Sequence, residues 1–246
     1  MEFIDEGVVL SARAHGETHA VVDVFTQDHG RWAGLVYGGQ GRKAQSLLQI
    51  GNSVRVEWKG RLEESLGHYS LELTDARAAR TMSDRLELAA LSSLCATALV
   101  CLPEREKQGQ TYQAMTVILD NLEHIELWPA LTARWEVGLL AAVGFGLTLD
   151  RCAATGSRED LIYLSPKSAC AVSRKAGEPY KEKLLPLSGI LRGEGLGDDE
   201  TEAILALKTT GYFLETRILH PAGQQLPEAR QRILDLLVER ISDDVD

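Results

Sequence analysis

Between Gly30 and Arg61 the chain carries six bases, Arg31, Arg42, Lys43, Arg55, Lys59 and Arg61, against the single acid Glu57. Cations at that density suit the holding of phosphate oxygens, where each Lys or Arg that displaces a counterion adds affinity. Two of the six follow the run Gly38-Gly39-Gln40-Gly41. Glycines there would let backbone N–H groups approach a phosphate while Arg42 and Lys43 neutralise its charge. Trp32, Tyr37 and Trp58 are interleaved with these bases, and an aromatic face can stack on a nucleobase. Trp58 shares the parity of Val54 and Val56, however, which favours a core position over a platform. Six bases also fit an ordinary solvated face, so charge alone leaves both readings open.

Covalent and metal chemistry find less support. The chain has no P-loop (GxxxxGK[ST]), no GxGxxG, no HExxH and no GxSxG. Its histidines, His15, His19, His29, His68, His124 and His220, show no pairing typical of a zinc or iron site; His15 and His19 are close in sequence but fall in a strand and turn. Carboxylates are plentiful and none is singled out for acid–base work. Asp198-Asp199-Glu200 reads as the acidic first turn of a helix. Cys95 and Cys101 sit in an apolar helical pattern, as small hydrophobes. Cys152 and Cys170 stand about as far apart as the two halves of a zinc ribbon, but Thr155 and Ser173 occupy the places of the second cysteines. Two thiols cannot close a four-ligand site. The residues therefore point to no enzyme, no cofactor and no bound zinc.

The elements that position these groups change character along the chain. Alternating apolar residues mark strands at Phe3–Ala12, Ala20–Thr26, Arg31–Tyr37, Ser53–Lys59 and Tyr69–Thr74, bounded by glycine turns. Five short strands predict a small closed barrel, an OB fold first and an SH3-like barrel second. Beyond Thr81 the period becomes helical. Leu91, Leu94, Ala98 and Leu102 define one helix, with Thr81 or Ser83 as cap and Pro103 as stop. Tyr112 to Leu122 forms a second, Pro129 opens a third that ends at Gly144, and two more follow around Leu207 and Ile233. Residues 150–192 are broken by Gly156, Pro166, Gly177, Pro179 and Pro186. The expected class is α+β: a barrel over residues 1–80, then a helical domain over 81–246 with a small ribbon-like insertion at about 150–192, and a solvated tail from Ser242 to Asp246.

Composition sets limits on partners. The 246 residues hold 26 Lys and Arg against 36 Asp and Glu, a net charge of −10. A polyanion partner must therefore rest on local charge, which acts within a Debye length of ~8 Å. Residues 151–192 form a second basic region, with eight bases against four acids. Met1 to Gly7 carries three acids and no base, the reverse of an export signal. Leu88 to Pro103 is the longest uncharged stretch, at 16 residues, short of the ~20 that span a bilayer. A cytoplasmic chain without membrane partners is expected.

Several stretches together resemble the RecO family. Gly16-Glu-Thr-His-Ala-Val-Val-Asp-Val-Phe-Thr-Gln-Asp-His-Gly30 follows its pattern of Glu, an apolar run, Asp-x-Phe-Thr and Gly, and the basic loop ending in Arg42-Lys43 comes next. Arg134-Trp-Glu-Val-Gly-Leu-Leu-Ala-Ala-Val-Gly-Phe-Gly146 is similar to the family's Arg-aromatic-Glu helix, and Asp150-Arg-Cys-Ala-Ala-Thr-Gly156 to the opening of its insertion. The resemblance runs from about residue 3 to residue 240. It implies an N-terminal OB fold, a helical domain and a zinc-finger-like piece. It also implies a nucleoid-associated mediator of DNA repair that binds single- and double-stranded DNA and anneals complementary strands. Such a mediator works with RecR to help RecA replace single-strand-binding protein. Arg42 and Lys43 match the family's DNA-contacting loop; Arg31, Arg55, Lys59 and Arg61 rest on the charge argument alone. Arg134 is a candidate contact for the carboxylate of the acidic, apolar-ended tail of single-strand-binding protein, whereas Trp135 lies on the apolar stripe of Leu131 and Leu139. Some family members carry four zinc cysteines, of which only Cys152 and Cys170 remain here, so zinc is not carried over. An RNA-directed OB module and a protein adaptor that binds no nucleic acid are the rival readings.

Overall fold

The structure is a computed structural model that describes residues 1–62, 64–195 and 200–243; Asp198, Asp199 and the last three residues of the tail lie outside this range. Three antiparallel strands come first, β1 (Glu2–His15), β2 (His19–Thr26) and β3 (Gly30–Val36). A short helix, α1 (Arg42–Leu47), leads to β4 (Ser53–Lys59) and β5 (His68–Asp75). The sheet closes in the order β1-β2-β3-β5-β4, with a parallel contact between β3 and β5 at Leu35 and His68. This order, with a helix between β3 and β4, is OB-type, and the SH3-like alternative falls away. β1 serves two neighbours, pairing with β4 from Glu2 to Val8 and with β2 from Gly7 to His15. It turns the corner at Gly7, where a Cβ would lie 2.4 Å from Val24 Cγ1, and through a register shift between Val9 and Ser11.

The barrel is filled by the inward residues of each strand. Phe3, Val9, Val22, Val24, Trp32, Val54, Val56, Trp58 and Tyr69 form one buried cluster. Burying a side chain of this size contributes about 1.5–3 kcal/mol, so this cluster fixes the register of all five strands. Trp58 is therefore core, as its parity indicates. Trp32 is core too, at 2% exposure, which removes it as a stacking platform. Its ring meets Phe3 and Trp58 edge-on at 5.1 and 5.2 Å.

Helices α2 (Arg77–Thr81), α3 (Arg85–Cys101), α4 (Gly109–Leu119) and α5 (Trp128–Ala142) follow. The cap of α3 is Asp84, whose carboxylate accepts from the N–H groups of Leu86 and Glu87, rather than Thr81 or Ser83. The insertion holds a small sheet of order β7-β6-β8, built from β6 (Leu161–Leu164), β7 (Ala171–Ser173) and β8 (Leu185–Pro186). Two short helices, α6 (Arg174–Gly177) and α7 (Gly189–Arg192), accompany it. Then come α8 (Glu200–Phe213), which continues as a wider π turn through Leu219, and α9 (Glu228–Asp243). By packing, the chain divides into one compact unit of residues 1–123 with 227–233 and another of 124–226 with 234–246. Among the described residues no helix is long and apolar enough to cross a membrane.

Candidate nucleic-acid interface

Three connections meet at one end of the barrel. Gln40, in the turn after β3, donates its backbone N–H to Thr18 O and its side-chain amide to Gly16 O and His19 O, which ties that turn to the β1–β2 hairpin. Leu35 N donates to Gly67 O across the β3–β5 closure, which brings in the β4–β5 turn. Tyr37, just past β3, is 64% exposed here. Its ring stands edge-on to His19 at 5.2 Å and tilted against His68 at 5.8 Å.

Arg42 and Lys43 open α1 rather than lying in a loop, both exposed. A six-residue helix leaves no hydrophobic period to read, which is why sequence reasoning missed it. The glycine turn before them does not offer its amides to a phosphate. Gly38 N donates to His19 Nδ1 at 3.2 Å, Gly39 N to Val36 O, Gln40 N to Thr18 O and Gly41 N to Gly38 O. All four donors are spent inside the protein, so the expected backbone cradle is absent and the side chains of Arg42 and Lys43 carry whatever attraction the turn has. Neither has a carboxylate within ion-pair distance among the described residues, and the same holds for exposed Arg61 on the β4–β5 turn. Exposed acids at this end include Glu17 and Glu64.

The other three predicted cations have carboxylates beside them, Lys59 at the border of this end and Arg31 and Arg55 away from it. Arg31 is a structural cation: its guanidinium reaches Leu102 O at 2.9 Å, Glu104 at 3.2 Å and Asp23 at 3.4 Å, and its side chain is only 16% exposed. Asp23 in turn is buried and accepts from Ser11 Oγ and Arg13. Lys59 lies 2.6 Å from Glu57 and 3.7 Å from Glu2. The hydrogen bond and charge of Glu57 hold its ammonium above the usual lysine pKa, and Lys59 holds the Glu57 carboxyl below its own. Arg55 is exposed, but register places Glu6 on β1 and Glu72 on β5 directly beside it. The six bases do not form one continuous patch. Among the described residues Arg42, Lys43 and Arg61 have no ion pair, while Arg31, Arg55 and Lys59 sit among carboxylates.

Arg134 lies on α5, exposed and without an ion pair among the described residues, its Nη2 near the backbone of Gly193. Trp135 beside it is buried. In the insertion, most bases are matched: Arg151 and Arg158 with Asp150, Arg174 with Asp160, Lys181 with Glu178, Arg192 with Glu194.

Cys152 and Cys170 have hydrogen-bonding neighbours of different kinds. Cys152 is buried and its sulfur accepts from Ser173 N at 3.3 Å and Ser173 Oγ at 3.4 Å. Burial pushes this thiol's pKa up, but these bonds, with others from Thr155 and Ala154, outweigh it and draw the pKa down to about 6. Cys170 instead faces Ser168 O. Two thiols with hydroxyl neighbours do not fit a tetrahedral zinc site, and no group of three or more His, Cys, Asp or Glu among the described residues is placed to hold a metal.

Residues 1–77 match the family of the recombination protein O N-terminal domain, and residues 82–225 that of the recombination protein O C-terminal domain. The DNA repair protein RecO of a Ruegeria species is 44% identical over 242 residues, covering 98% of this chain and all of that one. Its counterpart in Roseobacter denitrificans is 46% identical with the same coverage, and that of Methylorubrum extorquens 42% identical over 96% of this chain. Matches to both halves in order, at this identity and over this length, show that the chain belongs to the RecO family.

Proposed function

We propose that this protein is a DNA repair and recombination mediator that binds single- and double-stranded DNA and anneals complementary strands. With RecR it helps load RecA onto gaps covered by single-strand-binding protein. The observation that carries the DNA-binding part is the loop end of an OB-type barrel, where Arg42, Lys43 and Arg61 have no carboxylate within ion-pair distance among the described residues and Tyr37 is exposed. Family membership supports the rest.

The mechanism is non-covalent. Two complementary strands repel each other as polyanions, and a cationic surface that holds both lowers that barrier and raises their local concentration. No nucleotide hydrolysis, metal or cofactor enters. Arg134 offers a planar guanidinium to the carboxylate of the single-strand-binding protein's tail. Fluorescence anisotropy with a labelled single strand, a duplex and an RNA of equal sequence, over a salt series, tests the reading. Affinity for DNA should fall log-linearly with salt. A clear preference for RNA would identify an RNA module instead, and no retention of any strand at low salt would leave a protein adaptor.

A further inference from the structure

Beside Tyr37 runs an open groove of about 480 Å³, lined by Tyr37, Lys59, Gly60, Arg61, Gly67 and His68, with Ser65 at its edge. Its floor is low because of what lies beneath. A Cβ on Gly60 would come within 2.4 Å of Trp58 Cη2, and one on Gly67 within 2.4 Å of Trp58 Cζ2. The buried indole thus occupies the space that side chains at these two positions would need, and backbone forms the floor. One wall is an aromatic ring held in place from two sides, by His19 at its edge and His68 against it. The lining also includes Arg61, which has no ion pair among the described residues, and Lys59, whose ammonium is shared with Glu57; the exposed acid Glu64 lies farther along the turn.

A flat, fixed and solvent-facing ring next to a free guanidinium matches one chemistry well: a planar heterocycle linked to phosphates. We infer that this groove is a subsite for a single unpaired nucleobase stacked on Tyr37, with Arg61 on its phosphate, and that it biases the barrel toward single-stranded over paired DNA. The inference rests on the nucleic-acid reading above and deepens it. In a duplex both faces of each base are already covered by neighbours, so no base can reach Tyr37 without first leaving its stack. A single strand has no such cost, and stacking on an aromatic side chain tolerates every base.

The test uses the full chain with Tyr37→Ala and Tyr37→Phe, a single-stranded oligonucleotide containing 2-aminopurine, and the same sequence as a duplex. Tyr37→Ala should weaken single-strand binding about tenfold while leaving duplex binding unchanged, and Tyr37→Phe should restore it. The wild-type protein should quench 2-aminopurine emission on binding and Tyr37→Ala should not. Equal losses on both DNA forms, or wild-type-like behaviour of Tyr37→Ala with no quenching by the wild type, overturns the subsite while the cationic loop end stands. If the wild type binds neither form, the nucleic-acid reading itself fails and the subsite with it.

Discussion

The outer face of β1, β4 and β5 and the loop end of the same barrel carry similar numbers of bases and opposite electrostatics. On the face, Lys59 sits between Glu2 and Glu57, and Arg55 between Glu6 and Glu72. Register places Glu2 opposite Lys59, and Glu6 and Glu72 opposite Arg55, because side chains directly opposite each other on adjacent strands are only about 4.5–5.5 Å apart, while Glu57 stands two residues before Lys59 on the same strand. At the loop end, turns have no such facing partner, and among the described residues Arg42, Lys43 and Arg61 have no carboxylate within ion-pair distance. A residue's place in the pairing pattern, and not its type, decides whether its charge is available to a ligand.

The strongest way to break this contrast is to reverse charge on each side. Arg42→Glu with Lys43→Glu should weaken DNA binding on the order of a hundredfold, about 2.7 kcal/mol, and flatten the salt slope on single strands by about 1.4. Equal damage from Arg55→Glu would erase the distinction. Next in size, Arg31→Ala should cost about 2 kcal/mol of stability in urea unfolding, because it strips a hydrogen bond from the buried Asp23 carboxylate and another from the Leu102 carbonyl, yet leave the affinity of the folded protein unchanged. A loss of affinity at full stability would return Arg31 to the interface. Smallest of all, the single Arg55→Ala variant should shift affinity by less than about twofold, since an exposed cation set between carboxylates contributes little.

Much of the architecture can be read from the chain before it folds. Alternation in Ser53–Lys59 gives both the strand and the burial of Trp58, and Pro129 and Gly144 bracket α5 as their backbone preferences require. The interface is legible only in part. Arg42 and Lys43 are visible as a basic pair after glycines, but the use of two of the four turn amides, those of Gly38 and Gln40, depends on the hairpin at Thr18 and His19 docking there. Arg31 meets Glu104 across 73 positions of sequence, a distance at which no local pattern speaks. His68 lines the groove because the barrel closes between β3 and β5, and that contact is a single parallel pair. A strand's own period reveals which residues face inward; which charges face each other follows from pairing between strands.

The fixing of β3 has a mechanical consequence. At its start, Gly30 lies so close to Glu106 that a Cβ would be 1.9 Å from that carbonyl oxygen, and Arg31 and Arg105 exchange contacts with the segment after α3. At its far end, about 20 Å along an extended strand, stand Tyr37 and the turn that leads to Arg42. The strand is thus a rod clamped at its base, and the tip that carries Tyr37 cannot shift without bending it or loosening the clamp. Substitutions between Leu102 and Glu106, remote from any nucleotide, should therefore be felt as a slackened grip at the tip.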